Sequence, residues 1–431
     1  MSLIGIISSD TGINEIIQTE FENAQNGDYI LNFLADKKAI LEFLNFDLPE
    51  IVIINFFDKN IDLGGILENI KSDTWLHNFG IVGLYDSEHQ NEDELLKNLK
   101  DINVLVMLDP PRLPSHIVKC VQIIEQNRQI IFHRELSDKL VDRLTGSFLI
   151  DNDALAVSVY AGIAATTLAH RGYINPEAKM HLQLCLAELI INGIEHGNCG
   201  INFEEKSAYL EKGLSIVDLI AEKALDPAIS KKRVFFEWET EEDKTRFVIR
   251  DEGDGFDVLK LKEKIVREGP MALHGRGIRM ARALAHKLFY NKKGNEVILI
   301  ARHESTASKK TPVGFSGEEV LLTKKGDIIF EEGEASNFLY YISSGKFNVL
   351  HQARVVGILG PEDIFMGEMS FLLNNRRSAT VQAENPGKLV KISRKSFINV
   401  VKEYPHYGIF LSKLLARKLV RANIQNAAQE I

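Results

Sequence analysis

Over the first 130 residues, apolar positions fall in short clusters separated by amphipathic stretches. Residues 3–7, 51–54, 81–84 and 104–108 are continuous apolar runs, and 13–24 carries apolar residues at helical spacing. Runs of this kind, alternating with helices, predict a buried parallel sheet. The class expected for residues 1–130 is α/β, doubly wound.

The pattern then changes. Residues 178–195 form a long helical pattern, with Asn175 as N-cap and Pro176 at the first helical position. Residues 233–237 and 246–250 alternate like strands around an acidic turn at 239–243. A further helix is predicted over 278–287, behind two closely spaced glycines, and a strand over 296–301. Residues 131–303 therefore read as an α+β domain, a sheet with helices on one face. Residues 304–313 are small and polar, and read as a linker. Residues 314–431 show short strands punctuated by Gly326, Gly333 and Gly345, which predicts a barrel with glycine at its corners. A helical tail is predicted over 407–429.

Composition narrows the class. With 431 residues, 45% hydrophobic and 26% charged, the chain has material for several cores. The net charge of -9 argues against a dedicated nucleic-acid binder. The three cysteines, Cys120, Cys185 and Cys199, form no C-x-x-C pair, so neither a disulfide framework nor a zinc site is expected. The N-terminus has no positively charged lead, and no run of eighteen apolar residues occurs. A cytoplasmic protein with no membrane span is expected.

Three short motifs carry chemistry in the middle segment. Glu188 and Asn192 stand at i and i+4 on one helix, with His196 four residues on, so all three are expected on one face. A carboxylate there can take a proton, and the amide oxygen can hold a hard cation. Asp251-Glu-Gly253-Asp-Gly255 follows a strand, where glycines admit close backbone approach and the carboxylate can accept from an exocyclic amine. Gly275-Arg276-Gly277 leads into the predicted helix, whose first N–H groups can hold an anion.

In this order, within about 90 residues, the three motifs resemble the GHKL (Bergerat) ATP-binding fold. The run Glu188 to Gly197 and the short stretch 256–273 resemble the anti-sigma-factor serine kinases within that family. The resemblance implies Glu188 as general base, Asn192 as Mg²⁺ ligand and Asp251 as adenine acceptor. It also implies Gly253 and Gly255 beside base and ribose, and Gly275, Arg276 and Gly277 around the phosphates. The implied reaction is transfer of the ATP γ-phosphoryl group to a protein serine or threonine. His133 lacks the upstream helical hairpin that a phosphoacceptor histidine needs, and reads as structural. Residues 201–232, rich in charge and helix formers, depart from the shortest members; lid, partner surface and plain insertion all remain open.

In the last segment, Gly367-Glu368-Met369 is followed ten residues after the glycine by Arg377-Ser378-Ala379. A glycine admits close approach, a glutamate can accept from a ribose 2′-hydroxyl, and an arginine can pair bidentately with phosphate. This resembles the phosphate-binding cassette of cyclic-nucleotide-binding domains. The resemblance implies a jelly-roll-like β-barrel with a C-terminal helix, and cAMP or cGMP as ligand, with Ser378 leaning to cAMP. Met366 reads as an extra residue between Phe365 and Gly367. The terminal helix carries Lys413, Arg417, Lys418 and Arg421 as a solvated basic stripe, while Leu411, Leu414, Leu415 and Leu419 need a partner surface. No helix-turn-helix pattern follows it, so direct DNA binding is not expected.

The first segment resembles the receiver domain of response regulators in its layout. Ser8 and Ser9 stand where a receiver has its acidic pair, with Asp10 beside them, and Asn55 occupies the phosphoacceptor position. Asp109-Pro110 stands at the lysine–proline position, and Asp58 is a loop aspartate. An asparagine cannot form an acyl phosphate, so the resemblance implies a pseudo-receiver for docking or dimerisation. Two functional readings follow. One is a cyclic-nucleotide-responsive serine/threonine kinase of anti-sigma type that uses Mg-ATP. The other is a non-catalytic switch or scaffold that sequesters a sigma factor or an anti-sigma antagonist. A homodimer through the pseudo-receiver or the terminal helix fits both.

Overall fold

The computed structural model describes residues 2–24, 29–73, 76–77, 79–127, 144–211, 214–241, 243–256, 287–303, 311–373 and 376–416. Contacts group the chain into two compact units. One comprises residues 1–84, 101–103 and 306–431, the other 85–100 and 104–305. His133, the helix expected over 278–286, Gly275, Arg276, Gly277, Arg417, Lys418, Leu419 and Arg421 lie outside the described residues.

The first five strands are β1 (Ser2–Ile7), β2 (Tyr29–Leu34), β3 (Ile51–Asn55), β4 (Gly80–Leu84) and β5 (Val104–Leu108). Their order in the sheet is β2-β1-β3-β4-β5, with parallel pairing of β1 to β2, β1 to β3 and β3 to β4. That is the flavodoxin-like doubly wound order. Every residue of β3, β4 and β5 is buried, as the apolar runs require. Strand β2 escapes the apolar-run reading because it is an edge strand whose residues alternate between half-buried and exposed. Helices Thr11–Asn23, Lys37–Glu42, Leu63–Ser72 and Glu92–Asn98 start at Asp10, Asp36, Asp62 and Asn91. Each of these side chains accepts a hydrogen bond from the backbone N–H three residues on, satisfying an otherwise orphaned donor.

The second sheet is antiparallel. Its strands are β6 (Leu144–Ile150), β7 (Val234–Thr240), β8 (Lys244–Arg250), β9 (Lys287–Tyr290) and β10 (Glu296–Arg302), in the order β6-β7-β8-β10-β9. Helices Val157–His170 and Pro176–Asn192 share one core with the sheet, through Leu186, Leu189, Phe236, Trp238 and Phe247. Full burial of a side chain such as Phe236 contributes about 2 kcal/mol. Two expectations are corrected here. Glu239 and Thr240 belong to the β7–β8 ladder, opposite Arg246 and Thr245, and not to the acidic turn. Lys287 opens strand β9 rather than ending a helix.

The segment 201–232 forms three short helices, Phe203–Leu210, Ile216–Lys223 and Pro227–Ser230. Ile201, Leu219 and Ile220 belong to the domain core, and Lys206 bonds the buried Glu195 at 2.9 Å. The described part of this segment is anchored in the domain core.

The third region forms two four-stranded antiparallel sheets, as in a jelly roll. One is β11 (Glu319–Thr323), β18 (Gly387–Ser393), β13 (Phe338–Ser344) and β16 (Phe365–Met366). The other is β12 (Ile328–Phe330), β17 (Thr380–Ala383), β14 (Phe347–His351) and β15 (Arg354–Leu359). Met366 is no extra residue: it pairs in register with Tyr340 and is fully buried. The predicted tail at 407 is preceded by an unforeseen helix, Arg394–Glu403, and a second helix then runs over 405–416.

Candidate nucleotide sites

The first site grows from the helix Pro176–Asn192. Asn175 caps it, accepting from Ala178 N at 2.9 Å. Glu188 and Asn192 sit on its last turns, both half-buried. Beyond Asn192 the helix widens into a π turn, Gly193–Asn198, a feature frequent at functional sites. The widening breaks the expected alignment of His196 with Glu188 and Asn192. His196 is exposed, and its Nδ1 donates to the Ile201 carbonyl at 2.7 Å.

The π turn brings the helix end against Asp251, which follows β8. A Cβ added to Gly197 would stand 2.3 Å from Asp251 Cγ, and one on Gly253 would stand 2.2 Å from the Gly197 carbonyl oxygen. No side chain fits at either position. The first two motifs, more than fifty residues apart in sequence, therefore meet backbone to backbone. Gly255 has φ +78°, and a Cβ there would lie 2.0 Å from the Lys293 carbonyl oxygen.

Asp251 is pinned from several sides. Its N–H donates to Asn295 O at 3.0 Å, and its carbonyl accepts from Asn295 Nδ2 at 2.9 Å. Its Oδ1 accepts from Gly253 N at 2.8 Å, while Oδ2 has no hydrogen-bond partner among the described residues. Burial pushes this carboxyl upward, against the Gly253 hydrogen bond that lowers it. A ligand donor aimed at Oδ2 would relieve that burial.

Sequence reasoning missed the residues that hold this turn. Asn198 is buried; its Oδ1 accepts from Glu252 N at 2.9 Å and its Nδ2 donates to Asn152 Oδ1 at 2.9 Å. Asn152 in turn donates to the carbonyls of Ile229 and Lys232. Asn198 stands directly after the first motif, a signal that could have been followed. Asn152 carries no local signal.

The second site lies in the jelly roll. Gly367 adopts φ +75°, and a Cβ there would be 2.2 Å from a terminal nitrogen of Arg377. The short helix Glu368–Leu372 follows it. Glu368 and Arg377 are buried, at 7% and 4% exposure, whereas Met369 and Ser378 are exposed and Ala379 is half-buried. Arg377 Nη1 donates to Gly367 O at 2.9 Å and to Ser370 Oγ at 3.1 Å, and Nη2 donates to Phe338 O. Its guanidinium lies 4.1 Å from the Phe330 ring centroid. Nε has no partner among the described residues.

Burial pulls the Arg377 pKa down, yet an arginine stays charged. All its described hydrogen bonds go to neutral oxygens, and although the Glu334 and Glu368 carboxylates favour its charge, an anion at Nε would further compensate the burial. The exposed Ser378 carbonyl accepts from His351 Nδ1 at 3.2 Å.

The N-terminal positions hold no acidic cluster. Asn55 is buried and donates to Ser8 Oγ at 3.3 Å. Asp10 serves as helix cap, and Asp58 accepts from the N–H and hydroxyl of Ser9. In the other unit, Asp109 follows β5 and pairs with Arg112 at 3.5 Å. Among the described residues no cluster of three metal-binding side chains occurs, and no helix is long and apolar enough to cross a membrane.

Two family models match the chain. Residues 152–301 match the histidine kinase-like ATPase domain, and residues 321–404 match the cyclic nucleotide-binding domain. The cyclic AMP receptor protein of Thermus thermophilus is 32% identical over 124 residues, 28% of this chain and 57% of that protein. The cGMP-dependent protein kinase of Plasmodium berghei is 34% identical over 85 residues, 20% of this chain and 10% of the kinase. The chain thus spans about half of the first relative's length and a tenth of the second's. Among solved structures, the catabolite activator protein of Thermus thermophilus is 28% identical, covers 27% of this chain and 57% of its own, and has a TM-score of 0.26. The chain therefore contains a cyclic nucleotide-binding domain and a histidine kinase-like ATPase domain.

Proposed function

We propose that this is a cyclic-nucleotide-responsive signalling protein whose ATPase domain is a serine/threonine protein kinase of anti-sigma type. The observation that carries the reading is the meeting of the Glu188–Asn192 helix end with Asp251, through Gly197 and Gly253. The helix that carries a carboxylate for proton transfer and an amide oxygen for a cation thus ends against the residue read as acceptor for an adenine amino group. ATP binding alone would not need Glu188.

In this reading Asp251 accepts from the adenine amino group, and Gly253 and Gly255 let base and ribose approach the backbone. Gly275, Arg276 and Gly277 surround the phosphates. Asn192 and the phosphate oxygens form a hard-oxygen donor set suited to Mg²⁺, which supplies charge neutralisation when bound. The protein substrate's hydroxyl oxygen attacks the γ-phosphorus, and the bond from that phosphorus to the bridging oxygen breaks. ADP leaves with that electron pair, and Glu188 takes the hydroxyl proton. The cassette around Gly367, Glu368 and Arg377 takes the cyclic phosphate and ribose of cAMP, or cGMP. The partner is an anti-sigma antagonist carrying the acceptor serine, or the sigma factor itself. The first region serves as a pseudo-receiver that docks or dimerises.

Glu188→Ala tests the catalytic part. Mg-ATP affinity by calorimetry is expected to stay within about threefold, while phosphotransfer to a serine-bearing antagonist falls by at least about a hundredfold. Equal phosphotransfer by both proteins would overturn Glu188 as the base, and none by wild type on any antagonist would leave a non-catalytic switch.

A further inference from the structure

Glu195 stands in the π turn Gly193–Asn198, two residues before Gly197, and is buried at 2% exposure. Its carboxylate accepts from Lys206 Nζ at 2.9 Å. Lys206 belongs to the helix Phe203–Leu210, near the start of the segment 201–232. A carboxylate so buried is costly without a cation, and Lys206 supplies one. His196 Nε2 also lies 3.2 Å from the same carboxylate. The His196 Nδ1 donates to Ile201 O, so the neutral ring turns a lone pair, not a proton, towards Glu195. With His196 neutral, the Lys206 ammonium is the donor that Glu195 depends on.

The end of the same segment reaches both motifs of the first site. Lys232 Nζ donates to Asn198 O at 3.2 Å. Arg233, one residue beyond, donates its N–H to Glu252 Oε2 at 2.7 Å. Between the two ends, Leu219 and Ile220 seat the segment in the domain core. The π turn and the turn after Asp251 are thus tied to one body. No slack separates the two turns, since a Cβ on Gly197 would stand 2.4 Å from Asp251 Oδ1. A displaced π turn therefore displaces the Asp251 carboxylate.

We infer that Lys206 is a positioning residue of the ATP site: it holds Glu195, and so the π turn, in the place that sets Asp251. The segment 201–232 is thereby a brace for adenine recognition. The inference rests on the reading of Asp251 as the adenine acceptor. Loss of Lys206 leaves a buried carboxylate without its cation, and the turn must open towards water to solvate it. The adenine amino group then loses its acceptor, whereas a base with a carbonyl at that position has none to lose.

The test is calorimetric titration of the full chain with Mg-ATP and with Mg-inosine triphosphate, whose base carries a carbonyl in place of the amino group. Wild type is expected to favour ATP by about a hundredfold, because a carboxylate rejects that carbonyl. In Lys206→Met, ATP is expected to bind about tenfold more weakly and inosine triphosphate as before, so the preference shrinks by the same factor. Adding Glu195→Gln removes the orphaned charge, and the new amide can donate to His196 Nε2. This double variant is expected to regain ATP affinity to within about threefold of wild type. Where Lys206→Met does not fold, Lys206→Gln, which keeps a donor without the charge, takes its place with an expected loss of about threefold. An equal loss for both nucleotides, or no loss, overturns the brace and leaves the Asp251 reading standing. So does a double variant no better than the single one. A wild type that binds ATP without preference, or binds neither nucleotide, overturns the Asp251 reading, and the brace with it.

Discussion

The two nucleotide sites are made in opposite ways. In the ATPase domain the site is made by absent side chains: Gly197 and Gly253 let a helix end and a strand end touch, and Asp251 is fixed by their closeness. In the jelly roll it is made by a buried charge: Arg377 sits at 4% exposure on Phe330, with its donors on neutral oxygens. In the proposed reading, the first would recognise its ligand by shape and by a single acceptor, the second through a buried cation. They should therefore fail differently under mutation.

Gly197→Ala should give the largest effect. Its Cβ cannot avoid the Asp251 carboxyl carbon, so Asp251 and its turn must move. Mg-ATP affinity is expected to fall beyond about a thousandfold, more than 4 kcal/mol, with cyclic-nucleotide affinity unchanged; calorimetry reads both. Retained ATP affinity would break the claim that emptiness makes the first site. Arg377→Ala comes next, with a loss of about a hundredfold in cyclic-nucleotide affinity and none in ATP affinity. Arg377→Lys keeps the charge but loses the fork, and should cost about tenfold. A lysine variant as weak as the alanine would show that geometry, not charge, dominates the second site.

The smallest effect concerns pH, and separates the compact units rather than the sites. His77 is buried, and its Nε2 donates to Asn45 Oδ1 at 2.8 Å. Desolvation lowers its pKa to about 4, from an ordinary 6.5. The unfolded chain then binds the proton first on acidification, so stability is present above about 6.5 and is lost towards 4. Between pH 7 and 5.5 the loss should be about 1 kcal/mol, read by denaturant melts of wild type against His77→Gln. In the other unit, burial raises the Asp153 carboxyl, but hydrogen bonds from His116 and Lys119 outweigh it and hold it far below its usual range. That carboxylate's contribution is present above its unfolded pKa of 3.8 and fades only in stronger acid. The unit with the cyclic-nucleotide domain should soften first.

Much of this was readable from local pattern. The apolar runs marked β1, β3, β4 and β5, because a buried parallel strand has no polar face to show. Edge strand β2 alternates, and hid. The motifs around Asp251 and Gly367 were legible because close backbone approach leaves glycine as the only residue that fits. His196 was misplaced because helical spacing assumes 3.6 residues per turn, and the turn after Asn192 is wider. Met366 looked superfluous because a two-residue strand is too short to declare a period.

By itself, then, the sequence marked four strand-forming runs, the Asn175 cap and the local motifs around Glu188, Asp251 and Gly367. Each of these depends on neighbours within a few positions, where covalent geometry sets the spacing. Only the tertiary structure decided that Gly197 lies on Asp251, that Asn152 and Asn198 brace that turn, and that Asp73 meets Tyr407 across 334 residues. Those contacts depend on where whole elements pack, and packing is set by the summed burial of many side chains rather than by any local signal.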